Sequence, residues 1–199
     1  VRELREFSHK RSEVLSEFPV RDSLDVAVRM LGKELDDHEV AVDLRISPSI
    51  LVKGVKNQLA QVFINLVHNA VQAMGKVDTG RRNQIVVSAT DAGEHVIVTV
   101  LDNGPGIPEK IRDQIFDPFF TTKDAGEGTG LGLSICFRIV EAHRGTIQVF
   151  SDGSTYTEFR VTLPSPLVEL TMDHSAHHAP SDPQSTSASS SILTASTVS

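Results

Sequence analysis

One stretch constrains this chain more than any other: residues 102–133, DNGPGIPEKIRDQIFDPFFTTKDAGEGTGLGL. Asp102 closes an apolar run, glycines follow, a Phe/Pro/Thr segment comes next, and alternating glycines open an apolar helix. That order matches the needs of a nucleotide site. The carboxylate would grip a base, the middle segment would act as a mobile cover, and the glycine-rich helix start would present backbone N–H groups to phosphates. Each piece alone is weak; the ordered set is much stronger.

Bulk properties narrow the partners. The chain has 199 residues, enough for one ordinary domain with appendages. Hydrophobic residues make up 39% and the net charge is -7, so a soluble chain is expected, with nucleic acid disfavoured as its main partner. An anionic ligand would then be held locally, by backbone dipoles, a metal ion and a few basic groups. The single cysteine, Cys136, lies in the apolar run LSICFRIV and reads as a buried, inert thiol. No run approaches the roughly 18 apolar residues of a membrane span, and no secretory leader is seen. Because the first residue is Val, a fragment of a longer protein is expected, with any anchor or sensor outside it.

Periodicity predicts the elements. Leu4, Phe7, Val14 and Phe18 follow a three-four spacing, interrupted by Arg11, that predicts a helix over residues 1–18 seeking a partner helix. Pro19 ends it, and Asp22 or Ser23 then caps an amphipathic helix through Leu24, Val28, Leu31 and Leu35. VAVDLRI, residues 40–46, alternates as a strand, and a short strand is expected over residues 50–53. A long helix over residues 57–74 buries Leu59, Val62, Phe63, Leu66, Ala70 and Met74, and Gly75 closes it. Residues 84–90 and 95–101 form a hairpin through DAGE, which sets Asp102 at a strand's C-terminal lip. Pro108 opens a short helix with Ile111 and Ile115, and residues 116–128 are a loop. A helix over residues 129–143 ends at Gly145, followed by the closing strands TIQVF and TEFRVTL. Beyond Pro164 the Ser, Thr, Ala, His and Pro composition predicts a disordered tail, or an artefact of cloning or reading frame.

Asn65 and Asn69 stand at i and i+4 on the long helix, with Gln61 and Gln72 extending the polar stripe. An amide carbonyl is a neutral hard oxygen, and Mg²⁺ bound through phosphates needs only one or two such ligands. The bland alternative is a solvated helix face. Asp102, ionised, accepts a hydrogen bond from the exocyclic amine of adenine and disfavours guanine. Gly104 and Gly106 clear the approach to a flat base, although DNGPG is also an ordinary turn. GEGTGLGL is not a Walker sequence, since no GK[ST] follows; its weight comes from the apolar helix behind it.

NLVHNAVQAM, DNGPGIP, FDPFFTTK and GEGTGLGL, in this order, resemble the N, G1, F and G2 boxes of the ATP-binding domain of two-component sensor histidine kinases. That domain belongs to the GHKL superfamily with gyrase, MutL and a heat-shock chaperone. NAVQAM with FDPFFTTK looks most like the nitrogen-regulation type. The resemblance covers roughly residues 4–164 and implies a Bergerat-type α/β sandwich, a mixed sheet with helices on one face. It implies the end of a dimerisation helix at 1–18, an ATP-binding kinase domain at 19–165 and a disordered tail at 166–199. Asn69 would hold Mg²⁺ with help from Asn65; Asp102 would bind adenine beside Gly104, Gly106, Ile107 and Phe120. Lys123 and the segment Gly128, Thr129, Gly130, Leu131 and Gly132 would face the phosphates. Thr157 matches the threonine that assists Asp102, although Tyr156 stands where a glycine is usual. GVKN lacks an Asp often found before the long helix, a departure expected to affect capping.

Hydrolysing relatives carry Glu where this chain has Asn65. A carboxylate takes a proton from attacking water and a neutral amide does not, so transfer to an external nucleophile is favoured. His9, followed by Lys10 and off the apolar seam, does not fit the phosphoacceptor pattern of a His followed by an acidic residue. The acceptor is therefore expected upstream of Val1, and the fragment is expected to bind ATP without labelling itself. The implied partners are a response-regulator receiver domain and a second kinase subunit through the dimerisation helices; no nucleic acid or membrane contact is expected, and the location is cytoplasmic. Two rivals remain open: an anti-sigma-type serine/threonine kinase, and a non-catalytic nucleotide-binding module of the same fold.

Overall fold

A computed structural model describes residues 14–75, 80–123 and 128–166. The first element corrects the sequence expectation. Leu15–Pro19 is a strand, β1, and it pairs antiparallel with β3, Leu51–Val55, setting Phe18 opposite Val52. Both of those side chains are buried, whereas Val14 and Leu15 stand 63% and 58% exposed. The helical spacing at Val14 and Phe18 therefore has no buried stripe behind it, and pairing with a strand distant in sequence decides the conformation. Residues 1–13 of the expected helix, and the expected tail over residues 167–199, lie outside the described residues.

Helix α1, Val20–Met30, starts directly after Pro19 and not after the expected Asp22 or Ser23 cap. Those two side chains instead reach the start of α3, Lys56–Met74: Asp22 Oδ2 lies 2.7 Å from Lys56 Nζ, and the Ser23 hydroxyl donates to the Lys56 carbonyl at 3.3 Å. The helix expected to run through Leu35 divides at Leu31, with α2 at Gly32–Asp37.

The main sheet holds β2 (Ala41–Arg45), β4 (Gln84–Asp91), β5 (His95–Asp102), β7 (Thr157–Pro164) and β6 (Thr146–Ser151), in the spatial order β2-β4-β5-β7-β6. β2 runs parallel to β4 and the other pairs are antiparallel, so the sheet is mixed. Strict alternation in VIVTVLD and TEFRVTLP sends Val96, Val98, Val100, Phe159, Val161 and Leu163 to one buried face. Helices α1 and α3 and the helix α4, Gly132–Ala142, close that face as an α/β sandwich.

Helix α3 lies central among them because its stripe is apolar for its whole length. Leu59, Val62, Phe63, Leu66 and Val67 are fully buried, each contributing roughly 1.5–3 kcal/mol of transfer free energy. Two residues of its polar stripe, Asn69 and Gln72, reach a cavity that the lip where β5 ends and β7 begins also lines. α4 starts at Gly132, three residues after the expected Thr129, and His143 fastens its far end to the ribbon. The Val55 N–H donates to His143 Nε2 at 3.0 Å, and His143 Nδ1 donates to the Ile139 carbonyl at 2.7 Å.

Candidate functional site

Register places Asp102, the last residue of β5, directly opposite Thr157, the first residue of β7. Both are buried, at 4% and 5% exposed. The Asp102 carboxylate is not orphaned, since the Gly104 N–H donates to its Oδ1 at 2.9 Å. Burial nevertheless raises its pKa from 3.8 to about 6, and the backbone amides of Gly104 and Thr157 hold back part of that rise. A desolvated acceptor of this kind gains most from a donor that arrives with a ligand.

The backbone after Asp102 is shaped by close contact. Gly106 has φ +75°, and a Cβ there would stand 2.6 Å from the Ser154 amide nitrogen. The β6–β7 turn and the post-Asp102 loop therefore touch, and Ser151 ties them. Its hydroxyl accepts from Ile107 N–H at 2.8 Å and Gly153 N–H at 3.1 Å, and donates to the Tyr156 carbonyl at 2.7 Å. The turn itself is organised by Asp152. Its carboxylate is held well below the usual range by the Thr155 hydroxyl and by the amides of Ser154 and Thr155.

A cavity of about 340 Å³ opens between α3, this lip and the start of α4, and both Asp102 and Asn69 line it. Gly106, Ile107, Phe120 and Lys123 reach its wall, as do Gly130, Gly132 and Thr157. Ile111, Ile115, Leu133 and Phe159 give it an apolar floor suited to a planar base. Gly104 contributes through its bond to Asp102 and not as wall. Gly128, Thr129 and Leu131 do not line the cavity; Gly128 lies beside the Lys123 side chain, and Thr129 Oγ1 accepts from the Leu131 N–H at 3.3 Å. A more open cleft of about 1030 Å³ lies past the end of α3, lined by His38, Arg81 and Arg82, and none of the expected site residues reaches it.

Asn65 departs from its expected part as a second metal ligand. It is absent from the cavity wall; its Nδ2 donates to the Gly132 carbonyl at 3.2 Å, and the side chain also meets the Cys136 thiol. One helical turn separates it from Asn69, yet that turn carries it under α4, where it fixes the first residue of the glycine-rich helix start. Cys136 is buried as expected, and burial pushes its thiol up to about 12, so it stays protonated.

The cover segment is rooted in the same place. The Phe119 N–H donates to the Gly130 carbonyl at 2.9 Å, bringing the two ends of residues 119–130 together. Gly130 has φ +64°, and a Cβ there would lie 2.4 Å from the Phe119 carbonyl carbon, so glycine is demanded by both conformation and space. Lys123 reaches from this segment to α3, where its Nζ donates to Gln72 Oε1. Sequence reasoning left Gln72 and Ser151 out of the site. Gln72 had a visible signal, its place three residues after Asn69 on one helix face; Ser151 had none.

Among the described residues no group of three or more His, Cys, Asp or Glu side chains is arranged to hold a metal ion. The donor set at Asn69, one neutral amide, fits a hard cation carried in by phosphates with water completing its shell.

Comparison with known proteins places the fold in a family. Residues 54–167 match the family described as histidine kinase-, DNA gyrase B-, and HSP90-like ATPase. The catalytic domain of histidine kinase ThkA superposes with a TM-score of 0.66 at 30% identity, covering 76% of this chain and 98% of that one. Sporulation kinase A of Bacillus subtilis (strain 168) is 45% identical over 58% of this chain and 18% of its own length. The C4-dicarboxylate transport sensor protein DctS of Rhodobacter capsulatus is 34% identical over 83% of this chain and 25% of its own length. The chain belongs to the histidine kinase-, gyrase B- and HSP90-like ATPase family, and its relatives are sensor histidine kinases. It spans a quarter or less of the length of those two curated relatives.

Proposed function

We propose that this chain is the phosphoryl-donating half of a sensor histidine kinase. It would bind ATP and pass the γ-phosphoryl group to a histidine on a helical hairpin, for relay to an aspartate of a response regulator. The observation that carries the reading is the convergence of Asp102 and Asn69 on one cavity that the start of α4 also lines. Asp102 and Thr157 receive the adenine, the apolar floor takes its face, and the glycine-rich helix start and Lys123 take the phosphates. Asn69 would hold Mg²⁺ there, and the ion, when bound, neutralises charge on the phosphates. Asn65 offers no base to activate water, which favours an external acceptor. Catalysis in such a site is positioning and charge neutralisation.

Other expectations rest on resemblance. Histidine kinase ThkA has been solved in complex with the response regulator TrrA, at 28% identity to this chain, which supports a receiver domain as partner. A second subunit joined through dimerisation helices and a cytoplasmic location complete the proposal; among the described residues no helix is long and apolar enough to cross a membrane.

The test adds ATP and, separately, a hairpin bearing a His followed by an acidic residue. The chain is expected to bind ATP in preference to GTP, to lose binding in Asp102→Asn, and to label the hairpin with acid-labile phosphate. Absence of ATP binding refutes the proposal, and an acid-stable product assigns the serine/threonine class instead.

A further inference from the structure

Lys123 does not stand alone at the cavity. Its side chain runs against Gly128, across the cover segment, and its ammonium ends on the Gln72 carbonyl oxygen of α3. Gln72 stands three residues after Asn69, so both side chains leave one face of α3, and both line the cavity. The orientation of the Gln72 amide is fixed by its neighbours. Lysine only donates, so Oε1 must face it, and Nε2 then faces His68 Nε2 at 3.0 Å. Glu34 Oε2 of α2 lies 3.2 Å from the same His68 nitrogen, which either accepts from the amide or donates to the carboxylate, so the lysine contact is what orients Gln72.

We infer that Gln72 is a positioning residue that sets the Lys123 ammonium beside Asn69, where the terminal phosphate of a nucleoside triphosphate would lie. This rests on the reading of Lys123 as a phosphate contact. In this role Gln72 acts through the lysine. The adenine end, built on β5 and β7, is independent of it. Loss of Gln72 should therefore weaken triphosphate binding and leave diphosphate binding as it was.

The measurement is a fluorescence competition titration of ATP and ADP with Mg²⁺ on the whole 199-residue chain. It compares wild type, Gln72→Leu, Lys123→Met and the double variant. Each single variant is expected to lower the preference for ATP over ADP about tenfold, the low end for a hydrogen bond to a charged group. The double variant should lower it no further. Gln72→Asn, one methylene short, should behave like Gln72→Leu, which provides a milder substitution if the leucine variant fails to fold. Equal weakening of ATP and ADP, or additive effects in the double variant, overturns the positioning role. If Lys123→Met has no effect on the preference, the phosphate reading of Lys123 fails first. If wild type binds neither nucleotide, the proposed function itself falls.

Discussion

Asp102 is the residue on which binding and stability oppose each other. Its ionised form accepts from a purine amine, and its protonated form presents a proton to that amine. ATP affinity is therefore expected to fall as pH drops through about 6, the raised value set by burial. The effect on stability has the opposite sense. A carboxylate whose folded pKa of about 6 exceeds its unfolded value near 3.8 stabilises the fold fully below the lower value, and that contribution is lost as pH rises through the higher one. Asp102→Asn removes the desolvated charge, so it should abolish ATP binding while raising neutral-pH stability by on the order of 2 kcal/mol. Denaturant titrations at pH 4 and pH 7.5 check this: the gain must be present at pH 7.5 and nearly absent at pH 4.

At the scale of the element, Phe119 and Gly130 meet through one backbone contact, the Phe119 N–H to the Gly130 carbonyl. Gly130→Ala forces a Cβ into the Phe119 carbonyl at a left-handed residue, so the clasp between residues 119 and 130 must open. A loss of at least about 2 kcal/mol in stability is expected from strain and clash together. Gly93 in the β4–β5 turn is also left-handed, at φ +82°, but has open space around it. Gly93→Ala should cost only about 1 kcal/mol, and thermal melts of the two variants separate contact from conformation. The same clasp explains a limit of sequence reading. Asp102 was legible because VIVTVLD alternates and stops at a turn, and Asn69 because α3 has a clean apolar stripe. The start of α4 was not, because Gly130 answers to Phe119 and not to the helix after it. β1 was hidden for a similar reason: Val14 and Phe18 fit a helical spacing, and only the distant β3 makes the segment ending at Phe18 and Pro19 a strand. The place of Gln72 on the Asn69 face was legible, but the partners of Gln72 and Ser151 lie 51 and 44 residues away, where no local pattern reaches.

At the scale of the whole molecule, one layer of helices on one sheet face leaves a single core, with α3 at its centre. Phe63 is fully buried there, and Phe63→Ala should cost about 3–5 kcal/mol, read as a lower denaturant midpoint at unchanged slope. ATP at a hundred times its dissociation constant should restore about 2.7 kcal/mol of that loss if the site survives. The hydroxyl of Ser151 has a longer reach than its size implies. One oxygen answers for where two separate turns come to rest, so the outline of the purine slot is shared property of both. Recasting that slot for a different heterocycle would therefore call for changes in both turns together.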